Sequence, residues 1–454
     1  MPAPNQNSES ERSLRYSLRD AAAFSVMTGA GESYISAFAL QLKASAQEIA
    51  LLASVPALLG SWTQLYSAWL GERGAGRKTL IISGAIAQAV MWLPLALLPL
   101  FFPAYAGIIL IVCVVLYHAA GSFITPQWGS LMRELVSENA RGRYFALRTR
   151  ISSMTAFLAL VSGGALLHFF TEEGWARTGF LTLFAVAAIA RVVSTVFLSR
   201  MTDPEHPLAP RETLREVATA LPGSPFFRFS LFFALMQASV AIASPFFTLH
   251  MLRNLEFTYL EFTACSATAV LAQFLTLNAW GRISERSGNR VIFAATGLII
   301  PFLPVLWTVS GNFWWILFLQ ALGGLCWAGF SLSAGNFIYD LLPDRRIAPY
   351  MATHNVLMNI GVFTGAMIGA YLAIRLPTSL SFAGIGVDWA FPVYNAFVLS
   401  TIARLAVSLA FLPRIREVRA VESLSLRELV FRVTRFRPVA GLIFDIVSGP
   451  KKDR

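Results

Sequence analysis

Long apolar runs alternate with short polar or basic breaks along almost the whole chain. A helix needs about 20 apolar residues to cross the hydrocarbon core of a bilayer. On that length the pattern predicts spans at about 20–41, 49–70, 79–102, 105–126, 150–170 and 179–199. A second set follows at about 226–249, 262–281, 290–309, 313–340, 350–374 and 388–412. Between the sets, 200–225 is polar and carries Pro204, Pro207, Pro210 and Pro222. It reads as a linker with a short amphipathic helix near 212–221. The expected organisation is a tail at 1–19, a six-helix bundle at 20–199, the linker, a second six-helix bundle at 226–412 and a tail at 413–454. In that last tail Arg alternates with Leu, Val and Phe, as in a basic amphipathic helix lying on a membrane surface. The fold class is thus an all-α polytopic membrane protein of twelve transmembrane helices.

Composition agrees with this reading. Of 454 residues 56% are hydrophobic and 13% charged, with a mean hydropathy of +0.60, whereas a soluble chain carries about a quarter charged residues. The net charge of +11 could suggest nucleic acid as a partner, but the basic residues lie in the breaks between spans. Cytoplasmic loops carry such an excess. With the N-terminus inside, the outer loops hold Lys43, Arg177, Arg253 and Arg375, and Arg191 and Arg404 fall within spans. The rest, about 30, lie on the inner side, so both termini are expected in the cytoplasm and no nucleic acid is needed. The first apolar run is span-length, so it is expected to remain as the first helix instead of being cleaved as a leader. Cys113, Cys265 and Cys326 each sit in an apolar stretch and read as free buried thiols, with no zinc or redox pattern.

The two sets of spans repeat one another. Glu134 and Asp340 end the fourth and tenth spans, 206 positions apart. At that offset Tyr144 matches Tyr350, Ala146 matches Ala352 and Gly163 matches Gly369. Thr155, Ala159 and Gly163 form a ladder of small residues, and Gly361, Gly365 and Gly369 form its counterpart. Small residues at every fourth position let helix backbones approach closely, so each ladder is expected to face a neighbouring helix. Ile189-Ala190-Arg191 recurs as Ile402-Ala403-Arg404, and the two arginines read as structural, snorkelling to the interface or bonding helix ends.

After the eighth span stands Gly281-Arg282-Ile283-Ser284-Glu285-Arg286-Ser287-Gly288-Asn289-Arg290. It resembles the loop signature of the major facilitator superfamily, with Glu285 where the family usually has Asp. Gly71-Glu72-Arg73-Gly74-Ala75-Gly76-Arg77-Lys78 is a looser first copy, with Arg73 at the acidic position. Pro126-Gln127-Trp128-Gly129-Ser130, Arg141-Gly142-Arg143-Tyr144-Phe145 and Gly31-Glu32-Ser33-Tyr34 resemble a bacterial branch of uncharacterised transporters in that superfamily. The resemblance covers all but the tails and implies two pseudo-symmetric six-helix bundles that rock about a central cavity. Charges at inner helix ends would then pair in one conformation and separate in the other. Arg73, Arg77 and Glu134 in one half, and Glu285, Arg286 and Asp340 in the other, are the candidates for this gating network; solvated topology determinants are the alternative.

Ionisable or amide side chains inside spans mark the candidate site, because they are costly in lipid. Glu32 lies about twelve residues into the first span, with Thr28 and Ser36 four residues either side, on one helical face. It is the candidate carboxylate for coupling proton movement to a solute; holding helix packing is the other reading. Gln64 with Ser61 and Ser67, Gln237 with Ser244, Gln273 with Thr276, and Asn359 with Asn355 are candidate solute contacts or interhelical hydrogen bonds. His118 is of the residue type that exchanges protons near physiological pH. Asn336, one turn before Asp340, is a candidate member of the gate, and Trp327 could line the cavity wall.

No HExxH, GxSxG or nucleotide fingerprint occurs. Gly71 to Thr79 nearly spells a phosphate-binding loop, but Arg77 interrupts it and no strand precedes it. The reading is a secondary active transporter of a small solute, possible coupling to protons included, needing no cofactor or metal. It is expected as a monomer in a bacterial inner membrane. The competing reading is a membrane sensor or assembly factor with the same fold, which a cavity plugged by bulky apolar side chains would favour.

Overall fold

The computed structural model describes residues 4–101, 105–137, 141–204, 223–341, 347–382, 385–414 and 417. Among the described residues, eleven helices have the length and apolar composition to cross a membrane. The first span supplies the twelfth in two pieces, α1 (Pro4–Ala30) and α2 (Ile35–Gln41), joined by a 3₁₀ turn at Glu32–Tyr34. The others are α3 (Ala46–Glu72), α4 (Arg77–Val90) with α5 (Trp92–Phe101), α6 (Ala106–Leu135), α7 (Arg141–Glu172) and α8 (Ala176–Ser199). They continue with α9 (Pro225–Ala241) and α10 (Ser244–Leu249), α11 (Tyr259–Ser287), α12 (Asn289–Ile299) with α13 (Leu303–Leu306), α14 (Phe313–Leu341), α15 (Ile347–Arg375) and α16 (Val393–Phe411). The 212–221 helix and nearly all of the 413–454 tail lie outside the described residues.

Two departures from the expected spans have local causes. Helix α1 begins at Pro4, not near residue 20. Ser13 and Ser17 in that early segment are buried, Ser13 accepting from the Thr202 amide and Ser17 donating to Met132 Sδ. Before the last span, a hairpin of β1 (Ser379–Phe382) and β2 (Ile385–Asp388) pairs Ser379 with Asp388. Pro392 disfavours helical backbone at the residue before it, so α16 starts only at Val393 instead of near 388.

By packing, the chain forms two units, Met1–Ala267 with Arg346–Ser400, and Thr268–Arg345 with Thr401–Arg454. The sequence repeat is a division by pattern; the units are a division by contact. In the first unit α1 packs on α7 and α8, α3 and α4 on α6, and α9 on α15. In the second, α12 packs on α14.

Both small-residue ladders face a neighbour, as expected of them. A side chain on Gly29 of α1 would strike the Ala156 carbonyl and Ala159 of α7. Side chains on Gly361, Gly365 and Gly369 of α15 would strike the carbonyls of Ala234, Ala238 and Ile242 in the α9 segment. The repeat extends to helix starts. Ser45 and Glu48 form a capping box at α3, the Ser45 amide donating to Glu48 at 2.7 Å and the Glu48 amide to Ser45 Oγ at 3.2 Å. Thr258 and Glu261 repeat the exchange ahead of α11, at 2.9 and 3.2 Å. Each box satisfies amides that a helix N-terminus leaves without partners. Outward, Ile108, Val112 and Leu116 stand exposed along one face of α6, a stripe suited to lipid.

Candidate functional site

The site is built where the first span breaks. Gly31 sits so close to α8 and α5 that a Cβ there would lie 2.6 Å from Ala187 Cβ and from the Trp92 ring. Only glycine allows that approach. The 3₁₀ turn that follows interrupts the α-helix between Thr28 and Ser36, on which the face drawn around Glu32 depends. The partners of Glu32 come from α6 instead. Tyr117 Oη donates to Glu32 Oε2 at 3.4 Å, and His118 Nε2 lies 3.8 Å from Glu32 Oε1. Glu32 and His118 are 35% and 36% exposed, so the pair remains open to solvent while Tyr117 is buried behind it. Trp92 and Phe184 hold Tyr117 in place, with ring centroids 5.0 Å (Trp92–Tyr117) and 5.4 Å (Trp92–Phe184) apart.

A cavity of about 340 Å³ in the first unit contains this pair. Its polar lining comes from five segments, Asp20 and Glu32, Gln88, Tyr117 with His118 and Ser122, Arg148, and Arg191, set among the apolar side chains of Phe24, Ile124, Trp128 and Leu198. Asp20 is 3% exposed; it accepts from Ser194 at 2.7 Å and from Arg148 at 3.4 Å. Arg191, 2% exposed, donates to Ser194 at 2.8 Å and lies over the Phe24 ring. It therefore does not snorkel. Arg404, its counterpart in the repeat, is also buried, donating to the Ile300 carbonyl at 3.3 Å. Both arginines sit on faces turned into the protein, which the shared Ile-Ala-Arg triplet alone does not specify.

The gating candidates divide. Arg77, 6% exposed, reaches Glu134 and Asp203 at 2.9 Å and Ser130 at 3.1 Å. Asp203 also accepts from the Lys78 amide at 3.2 Å, fixing the start of α4. All of these partners belong to the first unit. Arg73 instead lies 3.9 Å over the Trp69 ring. In the second unit the cluster is neutral around Asn289, which stands where the first copy has Arg77. Asn289 is fully buried and accepts from Ser284 at 2.6 Å, and Asn336 donates to Ser284 at 3.1 Å. The Arg290 amide donates to Glu417 at 2.9 Å, repeating the Lys78–Asp203 contact. Gly288, at φ +80°, makes the turn into α12. Asp340 is half-buried at the end of α14 and Glu285 is exposed. The Arg286 side chain lies outside those described.

The remaining amides do not join the cavity. Gln64 and Gln237 are half-buried, Gln273 is exposed and Asn359 is buried. Ser61 and Thr276 donate to carbonyls of their own helices. Trp327 packs edge-on to Phe330, 5.5 Å between centroids. His354 was not singled out from the sequence; it is buried and bonded to Ser230 at 3.1 Å. Cys113, Cys265 and Cys326 are free and buried.

Still in the first unit, contacts link both sequence repeats at the ends of α2 and α11. Tyr34 Oη donates to the Leu160 carbonyl and lies 3.2 Å from Thr263 Oγ1. Arg253 donates to the Ala44 carbonyl at 2.8 Å, and Tyr259 to Gln41 at 3.2 Å.

The major facilitator superfamily profile matches the chain twice, over residues 21–240 and 229–447. The chain belongs to the major facilitator superfamily. That membership makes it an integral multi-pass membrane protein of a transporter family. Solved structures agree at the level of fold. A mutant of the nucleoside transporter NupG is 12% identical with a TM-score of 0.66, over 89% of this chain and 100% of its own. An auto-inhibited peptide transporter of the POT family is 14% identical with a TM-score of 0.68, over 91% and 99%. PepTSo, also of the POT family, is 13% identical with a TM-score of 0.65, over 89% and 98%. No curated protein matches the sequence significantly.

Proposed function

We propose that this superfamily member is a secondary active transporter that moves a small solute by alternating access, with Glu32 and His118 as its proton-exchanging pair. The carrying observation is the Glu32–His118 contact at 3.8 Å, inside a cavity lined by charged and amide groups. A carboxylate and an imidazole held together, both accessible, can exchange a proton with solvent and respond to a solute entering beside them. A sensor that had lost transport would be expected to fill this space with bulky apolar side chains. The open volume and the charged groups that reach into it speak for transport. The Tyr34–Thr263, Arg253–Ala44 and Tyr259–Gln41 contacts support a state closed on the side of the loop between α2 and α3. The excess of basic residues in the alternate loops supports placing that side outside, with both termini in the cytoplasm. The solute, in this reading, is of metabolite size, the protein acts as a monomer, and the membrane is a bacterial inner one.

Replacing Glu32 with Gln keeps the shape and removes the exchangeable charge. In proteoliposomes with a trapped pH dye, wild-type protein is expected to acidify or alkalinise the lumen when a transported solute is added. The Glu32→Gln protein should lose at least about tenfold of that proton flux while retaining solute exchange at equal pH. Unchanged proton flux in this variant would remove Glu32 from the coupling mechanism.

A further inference from the structure

The far end of the same cavity carries more positive charge than its protein partners balance. Arg148 and Arg191 share a single carboxylate, Asp20. Among the described residues, the one ion pair within 4.0 Å here is Arg148–Asp20. Arg191 reaches Asp20 through Ser194. The Nε atoms of both arginines and the Trp128 Nε1 find no acceptor, although all three side chains line the cavity. Arg148 is stacked 4.3 Å over Trp128 and is 21% exposed, so it is held in place yet accessible. Within a membrane protein a guanidinium lacking a full set of acceptors is costly, and such groups mark ligand pathways. Glu32, the other acidic residue of the lining, is twelve positions along the first span from Asp20. At about 1.5 Å per residue that is on the order of 18 Å between the two acidic backbones, with Arg148 paired at the Asp20 end and Arg191 lying over Phe24 between them. One end of the cavity is thus cationic and the other anionic.

We infer that this cavity binds a zwitterionic solute, its carboxylate received by Arg148 and Arg191 and its ammonium turned toward Glu32. The inference rests on the transport reading and names its substrate class. A guanidinium fork receives a carboxylate with two charge-assisted hydrogen bonds, and Arg148 is the accessible member of the pair. The separation of the ends selects for charges farther apart than in an α-amino acid.

The test is binding to the purified full-length protein in detergent, followed by calorimetry. The probes are ω-amino acids of graded chain length, each with its matched carboxamide, its matched alkylamine and its matched simple carboxylate. The expected result is that an ω-amino acid binds at least about tenfold more tightly than each of its three analogues. Arg148→Gln should abolish the preference for carboxylate over carboxamide, whereas Asp20→Asn, which frees a guanidinium, should increase it. A merely structural role would weaken both ligands alike in both variants. Tightest binding by a carboxamide or an amine, equal binding of the simple carboxylate, or no binding by any ω-amino acid would overturn the inference. Flux separates it from the transport reading: a zwitterion that binds but is never moved in proteoliposomes sinks transport alone, and a neutral or cationic solute that is moved sinks the zwitterion alone.

Discussion

Arg77→Gln is expected to destabilise the protein by about 3 kcal/mol, read as a clear fall in the unfolding temperature of the detergent-purified protein. Arg77 is 6% exposed and its guanidinium serves two carboxylates, Glu134 at the end of α6 and Asp203 beyond α8. Without it the two acids lose the guanidinium that they share. They are 24% and 26% exposed, so water screens part of the repulsion and the loss falls at the low end for a broken buried pair. Arg77→Lys should recover little, because an ammonium cannot hold Glu134, Asp203 and Ser130 from the one planar fork. Glu134→Gln combined with Arg77→Gln should recover more than half of the loss, since it removes the repulsion itself. At the matching place in the repeat, Asn289→Ala should cost less, about 1–2 kcal/mol, because that cluster holds hydrogen bonds among neutral groups. An Arg77→Gln protein that melts with the wild type would reduce the network to a surface ornament of the loop.

Much of this architecture could be read from residue order. Span lengths follow from bilayer thickness, and the 206-residue offset between Glu134 and Asp340 follows from the repeat; neither needs a partner to be known. Arg77 and Glu134 read as gating charges of one half, and in the structure they pair with each other inside the first unit. What stayed hidden depended on the rotation of one helix against another. Asp20 looked like the boundary of a tail, yet it meets residues 128 and 174 positions away in Arg148 and Ser194. Tyr117 carries no signal in the sequence, yet it is a hydrogen-bond donor to Glu32. Arg191 looked like an interfacial cation because arginine in a span usually escapes to water; here Ser194 and Phe24 hold it inside. The face drawn through Thr28, Glu32 and Ser36 assumed an unbroken helix. A signal for the break was present in Gly31, but what makes it necessary is the closeness of Trp92 and Ala187, which no local pattern contains.

The largest packing effect should come from Gly365. On α15 it lies against the Ala238 carbonyl, and its neighbours in the ladder, Gly361 and Gly369, lie against the carbonyls of Ala234 and Ile242. Because the obstacles are backbone atoms, no rotamer change can make room for a side chain. The helices must separate instead, and separation loses contact along the whole seam, where close approach is the main source of attraction between helices in lipid. Gly365→Leu is therefore expected to cost about 3 kcal/mol or more and to lower the yield of folded protein sharply. Thermal unfolding of the purified variant, beside its recovery from membranes, measures both. Gly335→Ala is the matched control: a Cβ there meets open space on a regular helix, so the change should be neutral or stabilising by up to about 1 kcal/mol. Equal melting of the two variants would mean that the glycine ladder is not a packing seam. A loss confined to Gly365→Leu would tie the repeated small residues of the sequence to the one contact in which their size is used.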